Sequence, residues 1–155
     1  MRKILVSECL YGGRPVRYDG AEAACADPVF LRWKAEGRLV PVCPEMLGGL
    51  AVPRPASQRR GDRVVTEDGA DMTAAFTEGA ERALRFAAEH DVAFAILKDG
   101  SPSCGVDLIH DGTFTGRKIP GRGVATELLA AAGYSVFSEH DIAAAAELLS
   151  EIEKE

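Results

Sequence analysis

No stretch of this sequence stays apolar for anything near the roughly 20 residues a helix needs to cross a bilayer, so no membrane anchor is expected. Met1-Arg2-Lys3-Ile4-Leu5-Val6-Ser7 carries two basic residues, but its apolar part is too short for a signal peptide, and Glu8 spoils a small-residue cleavage site. An excess of positive charge is missing as well. Lys and Arg number 18 against 24 Asp and Glu, for a formal net charge of −6. That balance argues against a polynucleotide partner, which needs clustered Lys and Arg to neutralise phosphates, and it favours a small substrate. There is no CxxC pair, no repeat and no dividing linker. Histidine is scarce: His90, His110 and His140 lie near the ends of expected elements, away from the cysteines, and each reads as a surface residue. The expected compartment is the cytoplasm. In a reducing compartment four cysteines do not make a disulfide framework, which leaves metal binding or catalysis.

What the sequence does contain suits one domain spanning residues 1–155, with 46% hydrophobic and 27% charged residues. Ile4-Leu5-Val6 is too short for a helix and suits a buried strand. A Gly/Pro-rich loop follows from Cys9 to Gly20. Asp27-Pro28 has the form of a helix N-cap with proline at the first helical position, and Gly37 marks that helix's end. Leu39-Val40-Pro41-Val42 is a second strand, placed near an edge by Pro41. Residues 44–62 show little periodicity and are expected to be a long loop with at most a short helical turn; Arg63 to Thr66 suit a small extra strand. Asp71 caps a helix running to about Glu89, with Met72, Phe76, Ala80, Ala83, Leu84 and Ala87 as its apolar stripe. Val92 to Leu97 is the clearest buried strand, followed by a loop from Asp99 to Gly123. A helix from about Val124 to Ala132, a strand from Tyr134 to Phe137 and a closing amphipathic helix complete the chain. This alternation predicts an α/β fold in three layers, a Rossmann-like, mostly parallel sheet with helices on both faces.

In such sheets ligands bind beyond the carboxyl ends of the strands. Cys9, Cys43 and Cys104 each fall just after a predicted strand, in loops rather than in element interiors. Their spacing alone is a weak metal signal, but the fold brings three such positions to one rim. Cys25, in an alanine-rich stretch, reads as a packing residue whose alternative role is a fourth ligand. Three thiolates suit either zinc or an iron–sulfur cube with one open iron.

Ser7-Glu8-Cys9-Leu10, Val16 to Gly20, Cys43-Pro44-Glu45, Gly48-Gly49-Leu50 with Pro53-Arg54, Ala95 to Lys98, Ser101-Pro102-Ser103-Cys104-Gly105, Asp111 to Phe114 and Gly121 to Val124 together resemble the thiouracil desulfidase family. The likeness runs from about residue 3 to 139. The chain departs from the family pattern at Glu8, at Pro55-Ala56-Ser57-Gln58 and at Ala125-Thr126, and the first two bear on substrate choice.

The resemblance implies a [4Fe-4S] cluster on Cys9, Cys43 and Cys104, and removal of sulfur from a thiolated pyrimidine base or nucleotide. It matches Glu45 to the family's acid–base and Ser101 to its assisting serine. Lys98, at the end of a buried strand, suits stabilising negative charge. Ser7 and Ser103 suit contacts to the ring's polar edge or water, and Arg54 a substrate phosphate. Arg17, Lys118 and the Gly121-Arg122-Gly123 turn are further phosphate candidates. Two other readings stay open on the residues alone: a zinc hydrolase or deaminase using Cys43-Pro44-Glu45, and a cluster-bearing redox sensor without turnover.

Overall fold

The structure is a computed structural model describing residues 1–154. In chain order the elements are β1 (Ile4–Ser7), α1 (Glu8–Tyr11), α2 (Pro28–Ala35), β2 (Leu39–Val42), α3 (Pro44–Leu47), β3 (Ser57–Arg60), β4 (Arg63–Thr66), α4 (Thr73–Glu89), β5 (Phe94–Leu97), β6 (Leu108–His110), β7 (Lys118–Pro120), α5 (Val124–Ala131), β8 (Val136–Ser138) and α6 (Ile142–Glu153). The main sheet is parallel in the order β2-β1-β5-β8. Ile4 sits between Leu39 and Phe94, and Leu5 between Val40 and Ala95. Pro41 lies in β2, an edge strand, where its missing N–H costs no ladder bond to a further neighbour.

Period-two alternation divides the strand residues between two cores. Ile4, Val6, Phe94 and Ile96 pack against Phe30 and Trp33 of α2 and Ile142, Ala145 and Leu149 of α6. Leu5, Val42, Ala95 and Leu97 turn the other way, onto Ala83 and Ala87 of α4 and Leu129 of α5. Helices therefore cover both faces, as expected. Phe94 anchors the first core, meeting Trp33 and Phe137 edge-to-face at centroid distances of 6.4 and 5.4 Å. The Asp27 side chain accepts hydrogen bonds from the Val29 and Phe30 N–H groups and so fixes the start of α2.

Two close approaches set the position of the loops at the sheet's carboxyl rim. A Cβ on Gly79 of α4 would lie 1.8 Å from the Pro44 carbonyl oxygen, and one on Gly48 would lie 2.0 Å from the Ala75 carbonyl oxygen. The single turn α3 therefore lies backbone-to-backbone on α4, a contact open only to glycine. Gly79→Ala is expected to destabilise the protein by about 1–3 kcal/mol, read as a lower urea midpoint. An unchanged midpoint would contradict this packing. A Cβ on Gly123 would meet the Ser103 carbonyl carbon at 2.4 Å, so α5 begins directly against the Cys104 loop.

Three of the expected loop regions contain more structure than anticipated. Cys9 rides on the helical turn α1 within the stretch read as loop. Residues 57–60 form β3, paired antiparallel with β4, and residues 99–123 contain the hairpin of β6 and β7. Val64, Val65 and Ile109 are buried, and specific polar contacts tie the two hairpins to each other. Arg60 Nε donates to the Gly112 carbonyl at 2.8 Å, and Gln58 Oε1 accepts from the Gly112 N–H at 3.0 Å.

Candidate active site

The chain leaves β1 toward β2, returns across the sheet, and enters β5 on the other side of β1. The reversal opens a crevice beyond the carboxyl ends of β1 and β5, the position at which sheets of this kind bind ligands. A cavity of about 410 Å³ occupies it. Ser7, Cys9, Cys43, Glu45, Arg54, Lys98, Ser101, Ser103 and Cys104 all line it, so these nine expected site residues reach one space.

Cys9, Cys43 and Cys104 follow β1, β2 and β5 respectively. All three are free thiols, and Cys104 is only 5% exposed. Burial pushes each thiol above its ordinary pKa, Cys9 to about 11. Each would be further opposed by charge on its neighbours: Cys43 acts on Cys9, and both act on Cys104. Arg17 and Lys98 work in the opposite sense on Cys9. Backbone N–H groups of Glu45 and Met46, in the first turn of α3, favour the Cys43 thiolate, as the Ser7 and Ser103 hydroxyls do for Cys104. Cys25 is elsewhere. It packs beside the α2–α6 core, its N–H bonded to the Leu10 carbonyl at 2.8 Å.

Glu45 is held from both sides. Arg54 Nε donates to its Oε1 at 3.1 Å, and Ser103 Oγ donates to its Oε2 at 2.9 Å. Ser103 Oγ in turn lies 2.9 Å from Ser101 Oγ. Ser101 Oγ accepts from the N–H groups of Ser103 and Cys104 at 3.1 and 3.0 Å, which fixes the Ser-Pro-Ser-Cys turn. The same turn is tied to α5: Val124 and Ala125 N–H donate to the Pro102 and Ser103 carbonyls, and Gly123 N–H to the Gly105 carbonyl. The first donors of α5 are thus spent on the Cys104 loop. Gly121-Arg122-Gly123 is a packing turn and not the phosphate cradle considered from sequence.

Arg54, expected to meet a substrate phosphate, and Lys98, expected to stabilise negative charge, are both held by protein partners. Arg54 has a side chain only 7% exposed, and its guanidinium also donates to the Ala51 and Val16 carbonyls at 2.9 and 2.8 Å. Its geometry orients Glu45. Lys98 Nζ pairs with Glu139 at 2.5 Å, and the other Glu139 oxygen accepts from the Asp99 N–H at 2.8 Å. Lys98 therefore supplies positive potential near Cys9 as one member of an ion pair. Ser7 Oγ accepts from the Lys98 N–H at 2.9 Å, joining the ends of β1 and β5. Asp99 organises the loop beyond: burial favours its neutral form, but the N–H groups of Val106, Asp107 and Leu108 hold the carboxyl below its usual range.

The far wall comes from the hairpins, which sequence reading missed. Ser57, Gln58, Glu67, His110, Phe114, Gly116 and Lys118 complete the cavity. His110, expected at the surface, has its Nδ1 buried with no partner among the described residues. Phe114 adopts a positive φ of 58°, an uncommon strain for an aromatic residue, and one found at ligand sites. Glu8, a departure from the family pattern, pairs with Arg14 at the cavity's edge.

Thiols gathered at the switch point of a parallel α/β sheet, beside an anchored carboxylate and two serines, define an enzyme whose chemistry centres on thiolates. No fourth cysteine closes the set, which leaves room for a substrate. The chain belongs to the 2-thiouracil desulfurase family, whose model matches residues 4–141. It is 41% identical over 149 residues, 90% of this chain and 97% of the relative, to the uncharacterized protein YbbK of Bacillus subtilis strain 168. It is also similar to a solved structure described as the [4Fe-4S]-dependent thiouracil desulfidase TudS, with 46% identity and a TM-score of 0.94 over 97% of this chain and 99% of that one. No helix among the described residues is long and apolar enough to cross a membrane.

Proposed function

We propose that this chain is a [4Fe-4S]-dependent desulfidase that hydrolyses the C=S group of thiouracil, or of a thiolated uridine nucleotide, to the oxo base and sulfide. Residues 1–155 act as one cluster-binding domain in the cytoplasm, where the four cysteines stay reduced. The observation that carries this reading is the convergence of Cys9, Cys43 and Cys104 on the cavity that also holds the Glu45–Ser103–Ser101 chain.

The donor set fits the cluster. Buried thiols that resist ionisation become thiolates when a cationic metal core supplies the missing charge. Arg17, Lys98 and the N–H groups of α3 offset what negative charge remains. Among the described residues, no three His, Cys, Asp or Glu side chains are gathered tightly enough to chelate a single ion. The similarity to a [4Fe-4S]-dependent structure favours a cluster over one zinc atom.

When bound, the cluster's iron without a protein ligand supplies a Lewis-acid position for the thiocarbonyl sulfur. The remaining steps belong to the chain's own groups. Glu45, held by Arg54 and Ser103, takes a proton from water, and the water oxygen adds to the ring carbon. Glu45 gives that proton to the sulfur as the C–S bond breaks, so the sulfur departs as hydrosulfide. The added hydroxyl loses its proton to solvent as the oxo group forms, and no electron is gained or lost overall. Ser103, backed by Ser101, holds one carboxylate oxygen of Glu45 in place at the cavity.

The test is anaerobic reconstitution with iron and sulfide, desalting, and an assay of sulfide release. With 4-thiouracil and its nucleoside monophosphate as substrates, sulfide and the oxo product are expected in equal amounts. A loaded protein that releases no sulfide from either compound would leave the redox-sensor reading in its place.

A further inference from the structure

Gln58 is only 8% exposed, yet half of its amide has no partner. Its Oε1 accepts from the Gly112 N–H at 3.0 Å and from the Phe114 N–H at 3.2 Å. Two backbone donors on one atom assign the orientation of the amide, since its NH₂ group facing them would leave three donors opposed. The Nε2 group is thereby turned away from the hairpin. It makes no hydrogen bond among the described residues, and Gln58 lines the cavity. Nε2 is not sealed from solvent, so it stands as a free donor that a ligand in the cavity can take up.

We infer that Gln58 is a specificity residue whose Nε2–H group donates to the second exocyclic oxo group of the pyrimidine, the one that is not the reacting thiocarbonyl. This rests on the function proposed above and assigns the far end of the same cavity. Phe114 stands beside it, its backbone held in the left-handed region by the bond to Gln58 Oε1, so that one side chain fixes both the aromatic surface and the polar donor. A neutral amide suits a neutral oxo acceptor.

Gln58→Glu isolates the donor. Glutamate keeps an oxygen for the Gly112 and Phe114 N–H groups but presents a second acceptor where Nε2 was. In the cluster-loaded protein, calorimetric titration should show uracil binding about tenfold more weakly to Gln58→Glu than to the parent. Pyrimidin-4-one, which lacks one oxo group, should bind the two proteins equally. With 4-thiouracil, KM should rise by a similar factor while kcat stays within about twofold. Equal affinity of both proteins for uracil would overturn the assignment, as would a loss seen only with the nucleotide. Should Gln58→Glu not fold, the parent protein still decides: equal affinity for uracil and pyrimidin-4-one overturns the inference, and a preference for uracil supports it. Failure of the parent to release sulfide would instead count against the function itself, and the binding comparison would still stand.

Discussion

Glu45→Gln is expected to cut sulfide release by about 10²- to 10⁴-fold, the range for loss of a positioned general base. The substitution is nearly isosteric. A glutamine keeps an oxygen toward the Ser103 hydroxyl but cannot take a proton from water. It also gives up the ion pair to Arg54, whose guanidinium stays anchored to the Ala51 and Val16 carbonyls. The fold and the cluster should therefore survive, and the broad visible absorption of the reconstituted protein should match the parent's. Single-turnover assays under anaerobic conditions read the chemical step directly. Activity above one tenth of the parent's would remove Glu45 as the base, and a missing cluster spectrum would make its role structural.

The second large effect concerns the thiols. Replacement of Cys9, Cys43 or Cys104 by alanine, one at a time, should abolish cluster assembly and all detectable desulfuration. Cys25→Ala should leave both intact. The contrast follows from placement: three cysteines face the cavity, and Cys25 packs beside Leu10 on the α2–α6 side. Cys104 is the most demanding of the three. It is almost wholly enclosed, and its loop is bound on one side by Ser101 Oγ and on the other by the first N–H groups of α5. A two-cysteine rim leaves two irons without protein ligand, and such a core is lost to chelators. Iron content after gel filtration with a mild chelator checks this for each variant. Iron lost equally from Cys25→Ala would contradict the placement.

The apolar runs Ile4-Leu5-Val6 and Phe94 to Leu97 announce the two inner strands because burial on both faces demands unbroken hydrophobicity. Asp27-Pro28 likewise announces a helix start through local hydrogen bonding alone. Once strand ends are known, the three cysteines and Glu45 follow, since the carboxyl rim of a parallel sheet is a place defined by topology. The far wall left no such trace. Ser57-Gln58-Arg59-Arg60 alternates no apolar residue, and β6 and β7 are three residues each, with Leu108 exposed. The contact of one hairpin with the other rests on Gln58 and Arg60 reaching a residue more than 50 positions away, a long-range polar contact that periodicity does not encode. Arg54 shows the same limit. Its charge suggested a substrate phosphate, but only three dimensions reveal that Glu45 and two carbonyls already hold it. His110 was placed at the surface for want of any local signal, and the hairpin turns it inward.

The most direct measurement is the metal and acid-labile sulfide content of the anaerobically reconstituted parent chain, set against that of its three single-cysteine variants. The account predicts about four iron atoms and about four sulfide ions per chain, absent from each variant. One zinc per parent chain without iron, or a full iron complement in any of the three variants, would contradict it.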